Sequence, residues 1–87
     1  MTGPDAEGLV RRFLAEQVLG EAEVRRIGPD DHLLKMGVLN SLTLTHLIVY
    51  LEEQLGIQVL PSEFDPQNFR SIRAICEYVA RKRPGAS

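Results

Sequence analysis

Cysteine is nearly absent from this sequence of 87 residues, and no long apolar run occurs in it. Cys76 is the only cysteine, so neither a disulfide, a thiol pair nor a zinc site of cysteines can be assembled within one chain. The first eight residues include Asp5 and Glu7 and lack the apolar segment of a secretory signal, and no stretch is long enough to span a bilayer. We therefore expect a cytoplasmic protein in a reducing compartment, without a membrane partner.

The length leaves no room for a second core or for a deep, walled catalytic cavity. With 44% hydrophobic and 25% charged residues, the composition is that of a folded domain. We expect a single domain over residues 1–87, with an ordered core at about 5–82 and a flexible C-terminal tail at 83–87. Met1 and this tail favour a protein that stands alone, and we expect a monomer.

The formal net charge of −2 is unevenly distributed along the chain. Lys35 is the only base between residues 30 and 69, where the acids are Asp30, Asp31, Glu52, Glu53, Glu63 and Asp65. From residue 70 onward a single acid, Glu77, faces the bases Arg70, Arg73, Arg81, Lys82 and Arg83. An acidic middle would repel phosphates, so a basic protein partner is predicted rather than nucleic acid. Only the basic end favours DNA binding.

Apolar residues recur at helical spacing in three segments, 5–19, 41–55 and 71–82. The strongest stripe is Leu44, Leu47, Ile48, Leu51 and Leu55. Gly56 is predicted to end this helix, and Ser71 to cap the start of the last one. A further short helix is predicted near 66–69, with Phe64 and Phe69 capping the core. The expected fold class is therefore all-α, a small bundle of three long helices and one short helix.

Two segments are predicted to be loops. Residues 21–40 contain Gly28, Pro29 and Gly37 as helix breakers but are too apolar to extend into water. They are expected to lie across the core, with one turn of helix at 32–35. Residues 57–60 alternate loosely, but a strand there would have no partner in the rest of the chain.

Ser41 follows an apolar loop and opens the central predicted helix. In a first helical turn the backbone N–H groups lack partners and the helix dipole is positive, which stabilises an anion by roughly 0.3–1 kcal/mol. A phosphodiester on Ser41 would therefore be favoured. Neither a catalytic triad nor a Gly-x-Ser-x-Gly motif surrounds it, and His32 and His46 alone make no metal set. No catalytic or metal-binding residue is predicted, a small hydrolase is disfavoured, and another enzyme must activate the hydroxyl.

The segment around Ser41 resembles the phosphopantetheine-attachment domain of acyl carrier and peptidyl carrier proteins. That family's pattern is an acidic residue, a leucine and then Gly-x-x-Asp-Ser-Leu, matched here by Asp31, Leu34 and the run Gly-Val-Leu-Asn-Ser-Leu at 37–42. The resemblance continues through residues 47–57 and ends at 69–79. It covers about three quarters of the chain.

The resemblance implies a small four-helix carrier-protein bundle that is not itself an enzyme. Ser41 would receive a 4'-phosphopantetheine arm from coenzyme A through a magnesium-dependent phosphopantetheinyl transferase. The arm would hold an acyl or aminoacyl group as a thioester, loaded by an adenylating ligase or acyltransferase and delivered to downstream synthase, condensing or transfer enzymes. Leu42 and Val49 match apolar partner contacts, Glu52 and Glu53 match acidic ones, and Asn40 replaces the aspartate of the partner-binding motif.

Some positions depart from the family pattern. Asn40 stands before the serine, and Thr43 and His46 occupy positions that are acidic in many carriers of fatty acids, which indicates a dedicated partner in a specialised, natural-product-type pathway. Residues 61–65, Pro-Ser-Glu-Phe-Asp, resemble the corresponding loop of stand-alone D-alanyl carrier proteins and favour an aminoacyl cargo.

The alternative reading is an unmodified helical module that binds a protein or DNA. Ser41 is then only a first-turn residue, and Asn40 only a helix cap. The exposed apolar and acidic residues of the central helix would be ordinary surface.

Overall fold

The structure is a computed structural model that describes residues 6–82. It contains four α-helices: α1 (Ala6–Gln17), α2 (Glu21–Val24), α3 (Ser41–Leu55) and α4 (Ile72–Lys82). Two 3-10 helices, Pro61–Glu63 and Pro66–Phe69, lie between α3 and α4. The predicted all-α bundle is confirmed, and within 6–82 the chain forms no strand. Residue 5 of the predicted core and the predicted tail at 83–87 lie outside the described residues.

The three long helices follow from their apolar stripes. Each buries one face against a common core, which Leu9, Val10, Phe13 and Leu14 line from α1, Leu47, Ile48 and Leu51 from α3, and Ile72, Ile75, Tyr78 and Val79 from α4. A fully buried leucine or isoleucine contributes about 1.5–3 kcal/mol relative to an exposed one. Cys76 of α4 is half-buried and packs against this core. The periodicity of the sequence therefore located the core correctly.

Helix α2 lies in a segment predicted to be a loop, and that prediction was wrong. Gly20 precedes the helix with φ 108°, a conformation that glycine adopts without strain, and its carbonyl accepts the N–H of Val24 at 3.1 Å in the usual helical pattern. Val24 is buried, and its own carbonyl accepts a hydrogen bond of 3.0 Å from the Arg11 guanidinium of α1. One helical turn with one buried side chain has too little periodicity to be recognised in the sequence.

The segment between α2 and α3 lies across the core as predicted, and it buries Ile27, Leu33, Val38 and Leu39. The predicted helical turn at 32–35 is a hydrogen-bonded turn in which the Met36 N–H donates to the His32 carbonyl at 2.9 Å. Met36 is 52% exposed, so the expectation that the segment shields its apolar residues is wrong at this position.

The same segment is fastened to the start of α4 by three bonds. The Leu33 N–H donates to the Arg70 carbonyl at 2.7 Å, and the Arg73 N–H donates to the Pro29 carbonyl at 2.9 Å. The Arg73 guanidinium also forms an exposed ion pair with Asp30 at 2.6 Å. These bonds fix residues 29–33 of the segment relative to α4.

The connection from α3 to α4 begins at Gly56, whose φ of 68° ends α3 in the left-handed conformation, as predicted. Phe69 is fully buried and packs on Tyr78 with ring centroids 5.2 Å apart. Phe64 is 47% exposed, so its predicted place in the core is wrong. The 3-10 helix Pro61–Glu63 directs Glu63 towards α4 instead, and Phe64 follows on the outer side of the turn.

Candidate functional site

Helix α3 begins at a reciprocal side-chain cap. The Asn40 side chain accepts the Thr43 N–H at 3.0 Å, and the Thr43 hydroxyl accepts the Asn40 N–H at 2.8 Å. Asn40 has the extended backbone of an N-cap residue, and its predicted capping role is confirmed. The signal in the sequence is Asn-x-x-Thr, a variant of the capping box, in which Thr43 completes the cap and is more than a replacement for an acidic residue.

Ser41 is the first residue of α3 and lies exposed at the surface. The residues before it, Val38 and Leu39, are buried, and this anchors the loop while the serine remains outside. The Ser41 carbonyl accepts the Thr45 hydroxyl at 2.9 Å. Within residues 6–82 the Ser41 hydroxyl forms no hydrogen bond, so no described side chain acts as a base towards it.

This helix start fits a phosphodiester. Among the described residues, the backbone N–H groups of Ser41 and Leu42 have no hydrogen-bond partner, whereas that of Thr43 is occupied by the cap. The exposed Ser41 hydroxyl therefore lies next to two unpaired N–H donors and at the positive end of the helix dipole. Such an environment favours an anion. Because α3 has fifteen residues, its dipole is that of a long helix and not of a single turn.

The histidines lie apart from this chemistry. His46 is exposed on α3, and the Nδ1 atom of the half-buried His32 accepts the Lys35 N–H at 3.3 Å. In the part of the chain that the structure describes, no three His, Cys, Asp or Glu side chains are grouped so that they could hold a metal ion. None of the described helices has the length and apolar character needed to cross a membrane.

The outer face of α3 carries most of the predicted partner contacts. Leu42 is 65% exposed and Val49 is 45% exposed, while Leu47, Ile48 and Leu51 on the opposite face are buried. Positions 42, 46, 49 and 53 are spaced by four, three and four residues and form one stripe on the helix surface. Leu42, Val49 and Glu53 are therefore brought together on one face, and Asn40 lies exposed at its N-terminal end.

Glu52 differs from its neighbour Glu53. It is half-buried, and its carboxylate accepts the Val59 N–H at 2.9 Å. This bond ties the end of α3 to the loop that follows, so Glu52 has a structural role within the fold. Its predicted contact with a partner stays a prediction.

Glu63 holds the α3–α4 connection against α4. One carboxylate oxygen accepts the Leu60 N–H at 3.0 Å, the Tyr78 hydroxyl at 3.0 Å and the Lys82 ammonium at 2.8 Å. The hydrogen bond from Lys82, followed by that from the Leu60 backbone, lowers the pKa of Glu63 from 4.5 to about 2. Burial, together with the adjacent carboxylate, raises the pKa of Tyr78 to about 12. The sequence contains no local signal for this cluster, because Glu63 and Lys82 are 19 residues apart.

The fold and the site define a small all-α domain with an exposed serine at the capped start of its central helix. Residues 12–79 match the family model described as a phosphopantetheine attachment site, and the chain belongs to this family. The resemblance to acyl and peptidyl carrier proteins is thereby confirmed, and the cofactor of the domain is covalently attached 4'-phosphopantetheine. No curated protein matches the chain.

Domains of this family are generally non-catalytic carriers. Their general partners are phosphopantetheinyl transferases and biosynthetic enzymes. Ser41 lies within the matched residues, as do Leu42, Val49 and Glu53 of the outer face of α3.

Proposed function

We propose that the protein is a carrier whose Ser41 bears the 4'-phosphopantetheine arm and whose arm holds an acyl or aminoacyl group as a thioester. The observation that supports this most directly is the exposed hydroxyl of Ser41 at the capped N-terminus of α3, inside the matched family region. The Ser41 oxygen bonds to the phosphorus next to the pantetheine, the pyrophosphate bridge of coenzyme A breaks, and adenosine 3',5'-bisphosphate leaves. The serine proton passes to a base of the transferase, since no described residue contacts that hydroxyl.

The chain's own residues act as a platform in this proposal. Asn40 and Thr43 fix the helix start, and the buried Leu39 holds the loop before it. The carrier itself catalyses no step. A tethered arm raises the effective concentration of its cargo at successive partner active sites.

The partner surface is the outer face of α3, with Leu42 and Val49 as apolar contacts and Glu53 as the acidic contact. Asn40 and Glu52 flank it. Asn40 replaces the aspartate of the family pattern, and Thr43 and His46 fill positions that are acidic in many carriers of fatty acids. The proposed partners are therefore an adenylating ligase or acyltransferase and later enzymes of a specialised pathway. Residues 61–65 support an aminoacyl cargo. We further propose a monomeric single domain that works in the cytoplasm.

The arginines of α4 give little support to the DNA-binding alternative. Arg73 forms an ion pair with Asp30, which also raises the pKa of Arg73, and the guanidinium of Arg81 lies 5.9 Å from the centre of the Tyr78 ring. Both cations thus have partners within the fold.

The test is the intact mass after incubation with coenzyme A and a phosphopantetheinyl transferase. We expect a phosphopantetheine-sized gain that is absent in Ser41→Ala, because the acceptor oxygen is removed. Ser62→Ala is the matched control, since Ser62 is an exposed serine at another helical turn, and it should retain the gain. An unmodified wild-type chain after several competent transferases, or a gain that persists in Ser41→Ala, would contradict the proposal.

A further inference from the structure

A groove of about 280 Å³ lies between α1 and α3, beside the proposed partner surface. Its apolar part is formed by Phe13 of α1 with Val49 and Tyr50 of α3. The rings of Phe13 and Tyr50 pack against each other with centroids 5.5 Å apart. The groove therefore has an aromatic floor to which both helices contribute.

The edge of the groove is acidic. Glu16 of α1 and Glu53 of α3 both line it, together with Gln17 and His46, and the described residues that line it include neither lysine nor arginine. Arg12 is not among the lining residues, but its guanidinium forms an exposed ion pair with one Glu16 carboxylate oxygen at 3.3 Å. Both carboxylates thus remain accessible to a cation entering from solvent.

The groove is continuous with the outer face of α3. Val49 belongs to both, and Glu53 continues the stripe of Leu42 and Val49 by one further turn. Residue 49 lies eight residues, or about 12 Å along the helix, from Ser41. A protein that reaches Ser41 while covering Leu42 and Val49 would therefore also cover this groove.

We propose that the α1–α3 groove receives an arginine side chain from the partner enzymes that dock on α3. An arginine combines an apolar stem, which suits the Phe13 and Val49 surfaces, with a planar cation that stacks on an aromatic ring such as Tyr50. Glu16 and Glu53 supply the complementary charge, whereas an acidic or phosphorylated segment would be repelled. The inference rests on the proposed function, because that function brings a partner enzyme to α3. It extends the docking surface onto α1, which the sequence did not indicate.

The chemistry of the groove can be tested without any enzyme. N-acetyl-arginine amide is titrated into the labelled protein while backbone amide signals are followed by NMR. We expect saturable shifts at Phe13, Val49 and Tyr50 with a dissociation constant on the order of 10 mM. N-acetyl-citrulline amide, which has nearly the same shape without the charge, should bind roughly 3- to 10-fold more weakly. The double variant Glu16→Gln/Glu53→Gln should remove that preference, and equal binding of the two compounds to the wild type would overturn the proposal.

The partner's use of the groove is tested in the transferase reaction. The Glu16→Gln/Glu53→Gln variant should raise the KM for the carrier by roughly 3- to 10-fold with an unchanged kcat. The control is Glu21→Gln/Glu23→Gln, which removes the same charge from the exposed side chains of α2 and should change KM less than twofold. Equal effects of the two variants would indicate general electrostatic steering and overturn the proposal, as would no effect of either.

The two proposals fail separately. If the wild-type chain gains no phosphopantetheine, the proposed function fails and the titration alone decides whether the groove prefers a guanidinium. If modification of Ser41 is complete but arginine and citrulline amides bind alike, only the groove proposal fails.

Discussion

Helices α3 and α4 both begin at a side-chain cap, yet their first serines have different surroundings. Ser71 is 5% exposed, and its hydroxyl oxygen accepts the Ala74 N–H at 3.1 Å. Ser41 is exposed, and Asn40 performs the capping in its place. Residues 29–33 cover the start of α4 through backbone bonds, whereas no comparable bond from another segment closes over the start of α3 among the described residues. Position relative to the covering loop, rather than residue type, separates a structural serine from one that another protein can reach.

The difference between the starts of α3 and α4 depends most strongly on the loop that covers the start of α4. Leu33 is fully buried in this loop, and its N–H donates to Arg70. We expect Leu33→Ala to lower the free energy of unfolding by about 2–5 kcal/mol, the cost of a cavity in a packed core. Leu42→Ala removes the same atoms from an exposed position and should change it by less than about 0.5 kcal/mol. Urea denaturation measures both, and equal losses would show that the two leucines do not differ in burial as described.

Substitution of the two serines, Ser41 and Ser71, should change the free energy of unfolding by less than Leu33→Ala does. Ser71→Ala leaves the Ala74 N–H without its partner, and we expect a loss of about 1 kcal/mol in the free energy of unfolding. Ser41→Ala removes an oxygen that bonds to no described residue and should stay within about 0.5 kcal/mol of the wild type. Asn40→Ala removes the side-chain cap of α3 and should lower the free energy of unfolding by about 1 kcal/mol, as Ser71→Ala does. A larger loss in Ser41→Ala than in Ser71→Ala would reverse the comparison.

The sequence was sufficient to predict features that depend on spacing along one helix. The core stripe of α3, the caps at Asn40 and Ser71 and the end of α3 at Gly56 all involve residues close together in the chain. The exposure of Leu42 and Val49 followed from their phase relative to the core stripe.

Several features that depend on contacts between distant segments were predicted wrongly or not at all. Helix α2 is held by a guanidinium from α1, and Phe64 is exposed because Glu63 is the residue bound to α4. The α1–α3 groove is likewise formed only when Phe13 and Tyr50 meet. No local pattern in the sequence predicts these contacts, because each contact joins residues from separate elements.

The smallest expected effect concerns the other end of α4, where Glu63 binds Tyr78 and Lys82. The pKa of Glu63 is lowered from 4.5 to about 2 in the fold, so between these values the unfolded chain takes up a proton that the folded chain does not. The stabilising contribution of Glu63 is therefore complete above about pH 4.5 and is lost as the pH falls towards 2. Solvent screening keeps this contribution modest, because the ion pair with Lys82 is only partly shielded.

Glu63→Gln should therefore lower the urea midpoint at pH 7. The difference between the urea midpoints of the variant and the wild type should become smaller as the pH falls from 4.5 to 2. The exposed Glu23 supplies the control, since no described contact holds its side chain, and Glu23→Gln should follow the wild-type acid profile. A Glu63→Gln profile that runs parallel to the wild type through this range would mean that the Glu63 carboxylate does not link the α3–α4 connection to α4. In that case only the bonds from residues 29–33 would distinguish the covered start of α4 from the exposed start of α3.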